Sequence, residues 1–273
     1  MQVIKIPGIN GAGKTKGCEQ AGNAILFELK KIYSNEQGEK IEVGKLDLEE
    51  IHLDNGNLKL TNKLIYENSF EAFEIKPRVV FLGGDHSISY STTRAFFDHV
   101  ETAGKEPCLI VFDAHPDLMA PCKKPESYPS SKEWLRGLIE KGFPVGNILL
   151  IGIRNSNSEE TLFLRENKIK TISMTSFLEE DFVSVCDSIT EFAYGKELYV
   201  SLDIDVVDPA FAPSTADPES GGLTNRQIIY LVQRINKIKT LRAFDLVEIN
   251  TEKDKENNNL TVKLGAKILS ELI

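Results

Sequence analysis

The stretch PCLIVFDAHPD, residues 107–117, says most about how this chain folds. Its first part is a short run that is apolar on both faces, which is typical of a strand in the centre of a parallel sheet with helices on both sides. Asp113, His115 and Asp117 follow at alternate positions. Alternate residues leaving a strand point to the same side, so these three side chains are expected to converge on one place.

Other short β-branched runs alternate with amphipathic stretches along the chain. The predicted strands are QVIKI, KIEVGKL, RVVFLGG, PCLIVFD, NILLIGI, KTISM, ELYVSLDI and LRAFDLVEI. One stretch between them, IIYLVQRINKI, has Ile228, Leu231, Val232 and Ile235 at helical spacing. About eight strand–helix units fit an open doubly wound sheet, and they fit a closed eight-stranded barrel equally well. Periodicity does not separate these two α/β architectures.

Polar side chains also follow three other predicted strands. These residues are His86 in GGDHS, Asp203 and Asp205 in DIDVVD, and Glu248 in EIN. In both architectures, ligands and catalytic groups gather at the carboxyl edge of the strands. We therefore expect these side chains to lie together with the DAHPD residues along one edge of the sheet.

Four further polar residues have a simpler interpretation. A single aspartate after a strand is usually a helix cap or a turn residue. This is our interpretation of Asp85, which precedes Ser87 and a predicted helix, and of Asp208, which precedes a proline. His52 in a polar stretch and His99 in a helical stretch are expected to be solvated or packed.

The remaining set forms a predicted metal site: His86, Asp113, His115, Asp117, Asp203 and Asp205. Carboxylates gathered in a small cleft repel one another, and divalent cations are the usual remedy. A donor set of imidazoles and carboxylates without thiolate suits manganese, or another octahedral first-row ion, better than a structural zinc. Six ligands are too many for one ion with an open position. Two ions with bridging carboxylates account for them, and such a pair aims an activated water at an electrophilic carbon or phosphorus.

A second motif predicts a different function. GINGAGKT, residues 8–15, has the full phosphate-loop pattern, in which Lys14 would reach the outer phosphates and Thr15 would hold magnesium. A helix should begin at the lysine of such a loop. Here Gly17 and Gly22 interrupt the stretch, and the apolar period begins only near Ile25. Nucleotide binding by Lys14 and Thr15 is the alternative to the metal site, and the late start of the helical period argues against it.

The motifs GGDHS, DAHPD, SLDIDVVDPAFAPSTADPESGGLT and FDLVEIN, in this order, resemble the ureohydrolase family of arginases and agmatinases. GAGKTKGCEQAGNAIL resembles the glycine-rich opening segment of that family. The resemblance covers nearly the whole chain, so we expect one ureohydrolase domain over residues 1–273. It implies a three-layer α/β/α fold with an open, mostly parallel sheet of eight strands.

The same resemblance implies a binuclear manganese centre. By motif position, one ion would be held by His86, Asp113, Asp117 and Asp203, and the other by Asp113, His115, Asp203 and Asp205, with Asp113 and Asp203 bridging. A hydroxide between the ions would attack the guanidinium carbon, and Asp117 would pass its proton to the leaving amine. Glu248 matches the carboxylate that binds the guanidinium, a role that suits two parallel charge-assisted hydrogen bonds.

The chain departs from the family pattern where the family recognises substrate. The loop LMAPCKKPESYPSSKEWLRGL lacks the histidine that arginases carry after DAHxD. The residues near that position are Tyr128, Ser130, Ser131 and Lys132, of which Ser131 is the predicted substrate contact. Asp217 is an extra acid in STADPESGG, predicted to contact a cationic substrate tail. Thr251 replaces the proline of the glutamate–hydrophobic–asparagine turn, so that loop is expected to sit differently.

The composition limits the classes of molecule that the protein is expected to bind. A net charge of -9 gives no general attraction to nucleic acid or to anionic membranes. The four cysteines are scattered without a CxxC pair, which fits a reducing cytoplasm. The expected partner is a small cationic guanidino compound such as agmatine or arginine, hydrolysed to release urea. A formimino or other amidine substrate and a non-catalytic metal-binding protein are the alternatives. The family resemblance suggests a homo-oligomer, a trimer or a hexamer.

Overall fold

A computed structural model describes residues 1–11, 13–122, 127–179 and 181–273. It contains an eight-stranded sheet in the order β2-β1-β3-β8-β7-β4-β5-β6, and every neighbouring pair is parallel. The strands are β1 (Gln2–Ile6), β2 (Asp47–Glu50), β3 (Val79–Gly83), β4 (Pro107–Phe112), β5 (Ile148–Ile151), β6 (Lys170–Ile172), β7 (Glu197–Asp203) and β8 (Leu241–Val247). β2 and β6 are the edges, so the sheet is open and the barrel alternative is excluded.

Helices cover both faces of this sheet. They are α1 (Ala21–Leu29), α2 (Leu58–Ile75), α3 (Ile88–Thr102), α4 (Trp134–Glu140), α5 (Ser158–Glu166), α6 (Ser176–Glu179), α7 (Phe182–Phe192), α8 (Asn225–Asn236), α9 (Thr251–Asp254) and α10 (Leu260–Ser270). The four periodic residues of α8 are all buried, as predicted. Within the described ranges, no helix has both the length and the hydropathy needed to span a lipid bilayer.

Two hydrophobic cores lie between the three layers. Ile110 of β4 packs in the core that α1, α7, α8 and α10 cover. Its neighbours Leu109 and Val111 point the other way, into the core that α2, α3 and α4 cover, where α5 packs at the border. A strand buried on both faces must be apolar at consecutive positions, which explains the runs in the sequence. The predicted α/β/α fold is confirmed.

One predicted strand is wrong. KIEVGKL does not form a strand: residues Val43–Lys45 make a 3-10 turn, and the edge strand β2 is the following DLEE segment. β2 pairs with β1 through its backbone, with Gln2 opposite Asp47. At an edge its acidic side chains stay near solvent, where Glu50 pairs with Lys5 and Asp47 with Lys76. Backbone pairing therefore overrides the weak strand propensity of this segment.

The four central strands place the predicted site. β3, β8, β7 and β4 are neighbours in the sheet, and each ends at the same edge because all are parallel. The chain passes from β3 to β4 across the positions that β7 and β8 later fill. Such a change in strand order opens a crevice at the carboxyl edge, which is where ligands bind in open α/β sheets.

Candidate metal centre

Residues at the carboxyl ends of β4, β7 and β8 line one cleft. Segments from both ends of the chain line it. The lining residues are Gly11, Lys14, Thr15, His115, Asp117, Ser131, Lys132, Asp203, Asp205, Thr215, Ala216, Asp217 and Glu248. His86 and Asp113 are buried and lie outside this lining, so they are reached through the residues that line it. We call this space the cleft.

His86 is surrounded by carboxylates. Its Nδ1 lies 3.0 Å from Asp117 Oδ2, 3.1 Å from Asp113 Oδ2 and 3.3 Å from Asp203 Oδ2. Ligand atoms of His86, Asp113 and Asp203 lie close enough together to hold one ion. Asp117 contacts His86 but does not belong to this group of three.

A second group adjoins the first. His115 Nδ1 lies 2.9 Å from Asp205 Oδ2 and 3.5 Å from Asp113 Oδ1. These three residues also have ligand atoms within reach of one ion. Asp113 belongs to both groups, which is the arrangement expected of a bridging carboxylate. Asp203, the second bridge implied by the family resemblance, belongs only to the first group.

The donor atoms fit a divalent ion. His86 Nδ1 and Asp113 Oδ2 are fully buried and have no hydrogen-bond partner, although they lie only 3.1 Å apart. Buried polar atoms are almost always satisfied, so two such atoms side by side call for a missing partner. A cation that accepts a lone pair from each would satisfy both. The surrounding donors are carboxylate oxygens and imidazole nitrogens, the set that manganese-like ions prefer.

A buried hydrogen-bond chain orients His86. Its Nε2 lies 2.9 Å from Ser201 Oγ, and Ser201 donates to Asp245 Oδ1 at 2.7 Å. Asp245 Oδ2 accepts from Ser89 and Tyr199, each at 2.7 Å. Because the Ser201 hydroxyl donates its proton to Asp245, the Ser201 oxygen accepts a hydrogen bond from His86 Nε2. The proton of the neutral His86 ring therefore lies on Nε2, and Nδ1 is left free to bind a metal.

Replacing Ser201 with alanine is expected to weaken metal binding by about 10- to 100-fold, because His86 loses the contact that holds its ring and tautomer. Ser89→Ala is the matched control, since Ser89 donates to the same Asp245 but lies 3.5 Å from Ser201 Oγ and does not contact His86. Calorimetric titration of the metal-free protein with manganese measures both affinities. Equal losses of manganese affinity in the two variants would show that the hydrogen-bond chain does not act through His86.

The clustered charges shift several pKa values. Burial opposes a charge on each histidine, but the carboxylates outweigh it and raise the pKa of His86 well above its usual range and that of His115 to about 12. Burial, together with neighbouring carboxylates, raises the pKa of Asp203 and Asp205. Without a cation, the site therefore holds protons that a solvated site would lose at neutral pH.

Metal binding is expected to release protons and to strengthen as the pH rises from about 6 to 8, because metal ions bind the deprotonated forms. The sign follows from the raised pKa values: the lower the pH, the more protons compete for the same lone pairs. Manganese titrations in buffers of different ionisation enthalpy measure the protons released. An affinity that stays constant over this range would contradict the proposed donor set.

Asp117 and Glu248 both adopt left-handed backbone conformations, with φ of 52° and 65°. Such angles are uncommon for residues other than glycine and are found often at functional sites. The indole of Trp134 donates to Asp117 Oδ2 at 2.9 Å. The amide of His86 donates to Glu248 Oε1 at 2.9 Å. Both carboxylates are thus held in fixed positions on the cleft, although their backbone is strained.

Glu248 also has an unusual environment. Burial and the nearby charge of Asp85 raise its pKa well above the ordinary value. The Cys18 thiol lies 3.9 Å from Glu248 Oε2, on the side away from the His86 amide. A cation that entered the cleft beside Glu248 would favour its charged form.

The phosphate-loop motif folds differently from a nucleotide-binding loop. Thr15 donates its hydroxyl to Asp85 Oδ2 at 2.7 Å, and the amide of Asn10 donates to the same oxygen at 2.6 Å. A short 3-10 turn covers Cys18–Gln20 and α1 begins only at Ala21, six residues after Thr15, so α1 does not begin at Lys14 as a nucleotide-binding loop requires. Gly84 allows the close approach, because a Cβ there would lie 2.0 Å from the Gly8 carbonyl oxygen. Asp85 therefore anchors this loop over the cleft.

The simpler interpretation holds for Asp208, which accepts from the amides of Ala210 and Gly221 and so acts in a turn. Asp85 also accepts from the amide of Ser87, but its bonds to Asn10 and Thr15 give it a role beyond the expected turn or cap. The His52 side chain is exposed. The His99 ring lies 6.0 Å from the rings of Phe70 and Phe73.

The segments that depart from the family pattern border the cleft. Ser131, Lys132 and Asp217 line it, and Ser130 donates its amide to Glu133 instead. Part of the histidine-free loop, residues 123–126, lies outside the described residues. Thr251 donates both its amide and its hydroxyl to the Gly17 carbonyl, a pair of bonds that a proline could not make.

Three important residues were missed by sequence reasoning. Ser201 and Asp245 carry a detectable signal, because each is a polar residue that lies between apolar neighbours inside a largely buried strand. Trp134 carries none, since its contact with Asp117 depends on the path of the loop between β4 and α4.

Comparison with known proteins shows the family to which the chain belongs. The model of the Arginase family matches residues 2–273, so the chain belongs to the arginase family. An arginase of Staphylococcus aureus (strain MRSA252) is 28% identical over 244 residues, which are 82% of this chain and 79% of the relative. An agmatinase of Pyrococcus horikoshii is 28% identical over 215 residues, which are 77% of this chain and 68% of the relative.

A solved structure supports the fold. The formimidoylglutamase of Bacillus subtilis matches with a TM-score of 0.87 and covers 99% of this chain and 85% of its own. At 21% identity this likeness concerns the fold alone. It agrees with the open, parallel, eight-stranded sheet described above.

Proposed function

We propose that this protein is a manganese-dependent hydrolase that cleaves a C–N bond of a small guanidino compound, such as agmatine or arginine, and releases urea. One observation carries the proposal: two groups of candidate metal-binding side chains share Asp113, and members of both groups line the same cleft as Glu248, a buried glutamate with a left-handed backbone. The arginase-family match over the whole chain supports it.

The residues for the two ions are those of the two groups, extended by their close neighbours. His86, Asp113, Asp117 and Asp203 would hold one ion, and Asp113, His115, Asp203 and Asp205 the other. When bound, the pair supplies a nucleophile by lowering the pKa of water toward neutrality. The four aspartates would offset the charge of two divalent ions, and Glu248 is a further carboxylate on the cleft that does not belong to the proposed ligand set.

Glu248 would bind the substrate. Its Oε1 is held by the His86 amide, so the second oxygen has a defined direction. A planar guanidinium pairs well with a carboxylate and would return Glu248 to its charged form. A guanidinium bound in this way would have its carbon beside the two metal-binding groups.

Asp117 would handle the proton. Its Oδ2 contacts both His86 and the Trp134 indole, so the carboxylate is fixed at the border between the buried ligands and the cleft. From there it can accept a proton from the attacking water and deliver it to the leaving amine. Ser131 and Asp217 would contact the remainder of the substrate.

Urea release by the manganese-loaded protein tests the proposal. A panel of arginine, agmatine and 4-guanidinobutyrate is expected to contain at least one compound that is hydrolysed, and activity is expected to disappear in the chelator-treated control. Bound manganese without any hydrolysis would contradict the proposal and favour a non-catalytic metal-binding protein.

An amidine such as a formimino compound is the second candidate. Its planar, cationic group would pair with Glu248 as a guanidinium does, and the loop after β4 lacks the histidine that arginases carry. Formamide would then be released instead of urea. The same assay distinguishes the two candidates when both products are measured.

Two further predictions concern the cellular compartment and the oligomeric state of the protein. The four cysteines are all free thiols in the structure, which supports a reducing cytoplasm. A homo-oligomer, either a trimer or a hexamer, is expected from the family resemblance. Light scattering on the purified protein would measure the assembly, and a monomer would contradict that expectation.

A further inference from the structure

Three charged residues from separate segments meet where the cleft opens to solvent. Lys14 comes from the N-terminal loop, Lys132 from the loop after β4, and Asp217 from the loop after β7. All three line the cleft that also contains Glu248. We call these residues the rim. The two lysines and one aspartate give the rim one net positive charge.

The aspartate of the rim is already paired. Asp217 Oδ2 lies 2.5 Å from Lys132 Nζ. Partial burial opposes the charge of Asp217, but Lys132 and, more weakly, Lys14 hold its pKa below the usual value. From the sequence, Asp217 is the predicted contact of a cationic substrate tail. Such a tail would have to displace Lys132 and approach Lys14.

Lys14 is the uncompensated charge of the rim. Its side chain is exposed, and within the described ranges no carboxylate lies at ion-pair distance from its ammonium group. The nearby acids Glu160 and Glu219 line an adjoining recess and not the cleft. Glu160 accepts from the amides of Leu118 and Asn157, and Glu219 accepts from Asn155.

The cleft is therefore electrically polarised. Glu248 offers a negative charge for the amidine end of a substrate, and the rim offers a net positive charge at the opening. A doubly cationic molecule such as agmatine would place its ammonium against Lys14 and Lys132. A guanidino acid carries opposite charges at its two ends and matches both.

We propose that the substrate is a guanidino or formimino compound with a carboxylate at the end opposite its amidine group, and that Lys14 binds this carboxylate. The proposal rests on the proposed function, because it takes Glu248 as the site of the amidine group. The proposal also gives a role to the last two residues of the GAGKT motif. Thr15 holds the loop in place through its hydrogen bond to Asp85, and Lys14 binds the carboxylate of the substrate instead of a phosphate. The Lys132–Asp217 pair holds the opposite side of the opening.

Two compounds with four-carbon chains test this proposal: 4-guanidinobutyrate, which ends in a carboxylate, and agmatine, which ends in an ammonium. Calorimetry with the manganese-loaded protein gives KM for a compound that is hydrolysed and Kd for one that is not. We expect the value for 4-guanidinobutyrate to be at least about tenfold lower than that for agmatine.

Lys14→Ala is expected to raise the 4-guanidinobutyrate value by about fivefold to tenfold, to leave kcat and manganese content unchanged, and not to weaken agmatine binding. Lys14→Glu is expected to reverse the preference. Lys16→Ala is the matched control, because Lys16 is exposed on the same loop but does not line the cleft. Asp217→Asn, measured with both compounds, tests the alternative in which Asp217 binds a cationic substrate tail.

Three results would overturn the inference: tighter binding of agmatine, no measurable binding of 4-guanidinobutyrate, or equal effects of Lys14→Ala on both compounds. Loss of agmatine binding in Asp217→Asn would instead support the cationic tail. Failure of the proposed function has a different signature. In that case, 4-guanidinobutyrate binds in a Lys14-dependent manner, but neither urea nor formamide is released.

Discussion

Asp113→Asn is expected to prevent the binding of both metal ions and to lower turnover by about a thousandfold or more. The metal ions are expected to stabilise the transition state by several kcal/mol, and each 1.4 kcal/mol that is lost lowers the rate about tenfold. Asp113 is the one residue shared by the two metal-binding groups. Its Oδ2 is buried without a hydrogen-bond partner, and its Oδ1 accepts from the His115 amide at 2.6 Å. An amide keeps the size of the side chain but removes a charge and one oxygen ligand.

The measurement is manganese content after dialysis, together with initial rates on the best substrate. Asp208→Asn is the control, since Asp208 follows a central strand, β7, as Asp113 follows β4, but acts in a turn. The charge of Asp113 contributes to the raised pKa of Asp203 and Asp205. The metal-free variant is therefore expected to unfold at a temperature no lower than that of the metal-free wild type. A variant that binds two ions and turns over normally would contradict the shared role of Asp113.

Asp117→Asn is expected to reduce kcat by several orders of magnitude while most of the metal remains bound. Proton transfer by a positioned side chain contributes about 10²- to 10⁴-fold to a rate, and an amide cannot accept the proton. Asp117 lies outside both groups of three metal-binding residues, although its Oδ2 is 3.0 Å from His86. Its loss should therefore affect chemistry more than metal binding.

Manganese content and kcat, measured on the same preparation, separate these two effects. The fixed contact from the Trp134 indole to Oδ2 is retained when the amide presents its oxygen to that donor. Near-normal turnover in the variant would rule out Asp117 as the proton carrier. Complete loss of metal would make it an essential ligand instead.

Much of the fold could be predicted from the sequence because the buried strands carry a strong local signal. β4 and β5 are apolar at consecutive positions, as a sheet covered on both faces requires. Whether the sheet was open or closed depends on strand order, which periodicity does not contain; the family resemblance indicated the open form. β2 was missed because an exposed edge strand of acidic residues is held by its neighbour β1 and not by its own propensity.

The site was predictable to the extent that its residues follow strands. Parallel strands end at one edge, so His86, Asp113, Asp203 and their neighbours could be expected to meet, and the structure brings them together. The pairing of Lys132 with Asp217 was not predictable, because two long loops must fold toward each other before the charges meet. That pairing changes the expected substrate, since it leaves Lys14 as the rim residue that has no ion-pair partner in the described part of the chain.

Anomalous diffraction from crystals of the manganese-loaded protein would test the central claim most directly. Data collected near the manganese absorption edge are expected to show two peaks at the carboxyl edge of β4 and β7, about 3.5–4 Å apart, with Asp113 between them. One peak would lie beside His86 and the other beside His115. A single peak, or peaks away from Asp113, would contradict a two-metal centre at this edge of the sheet.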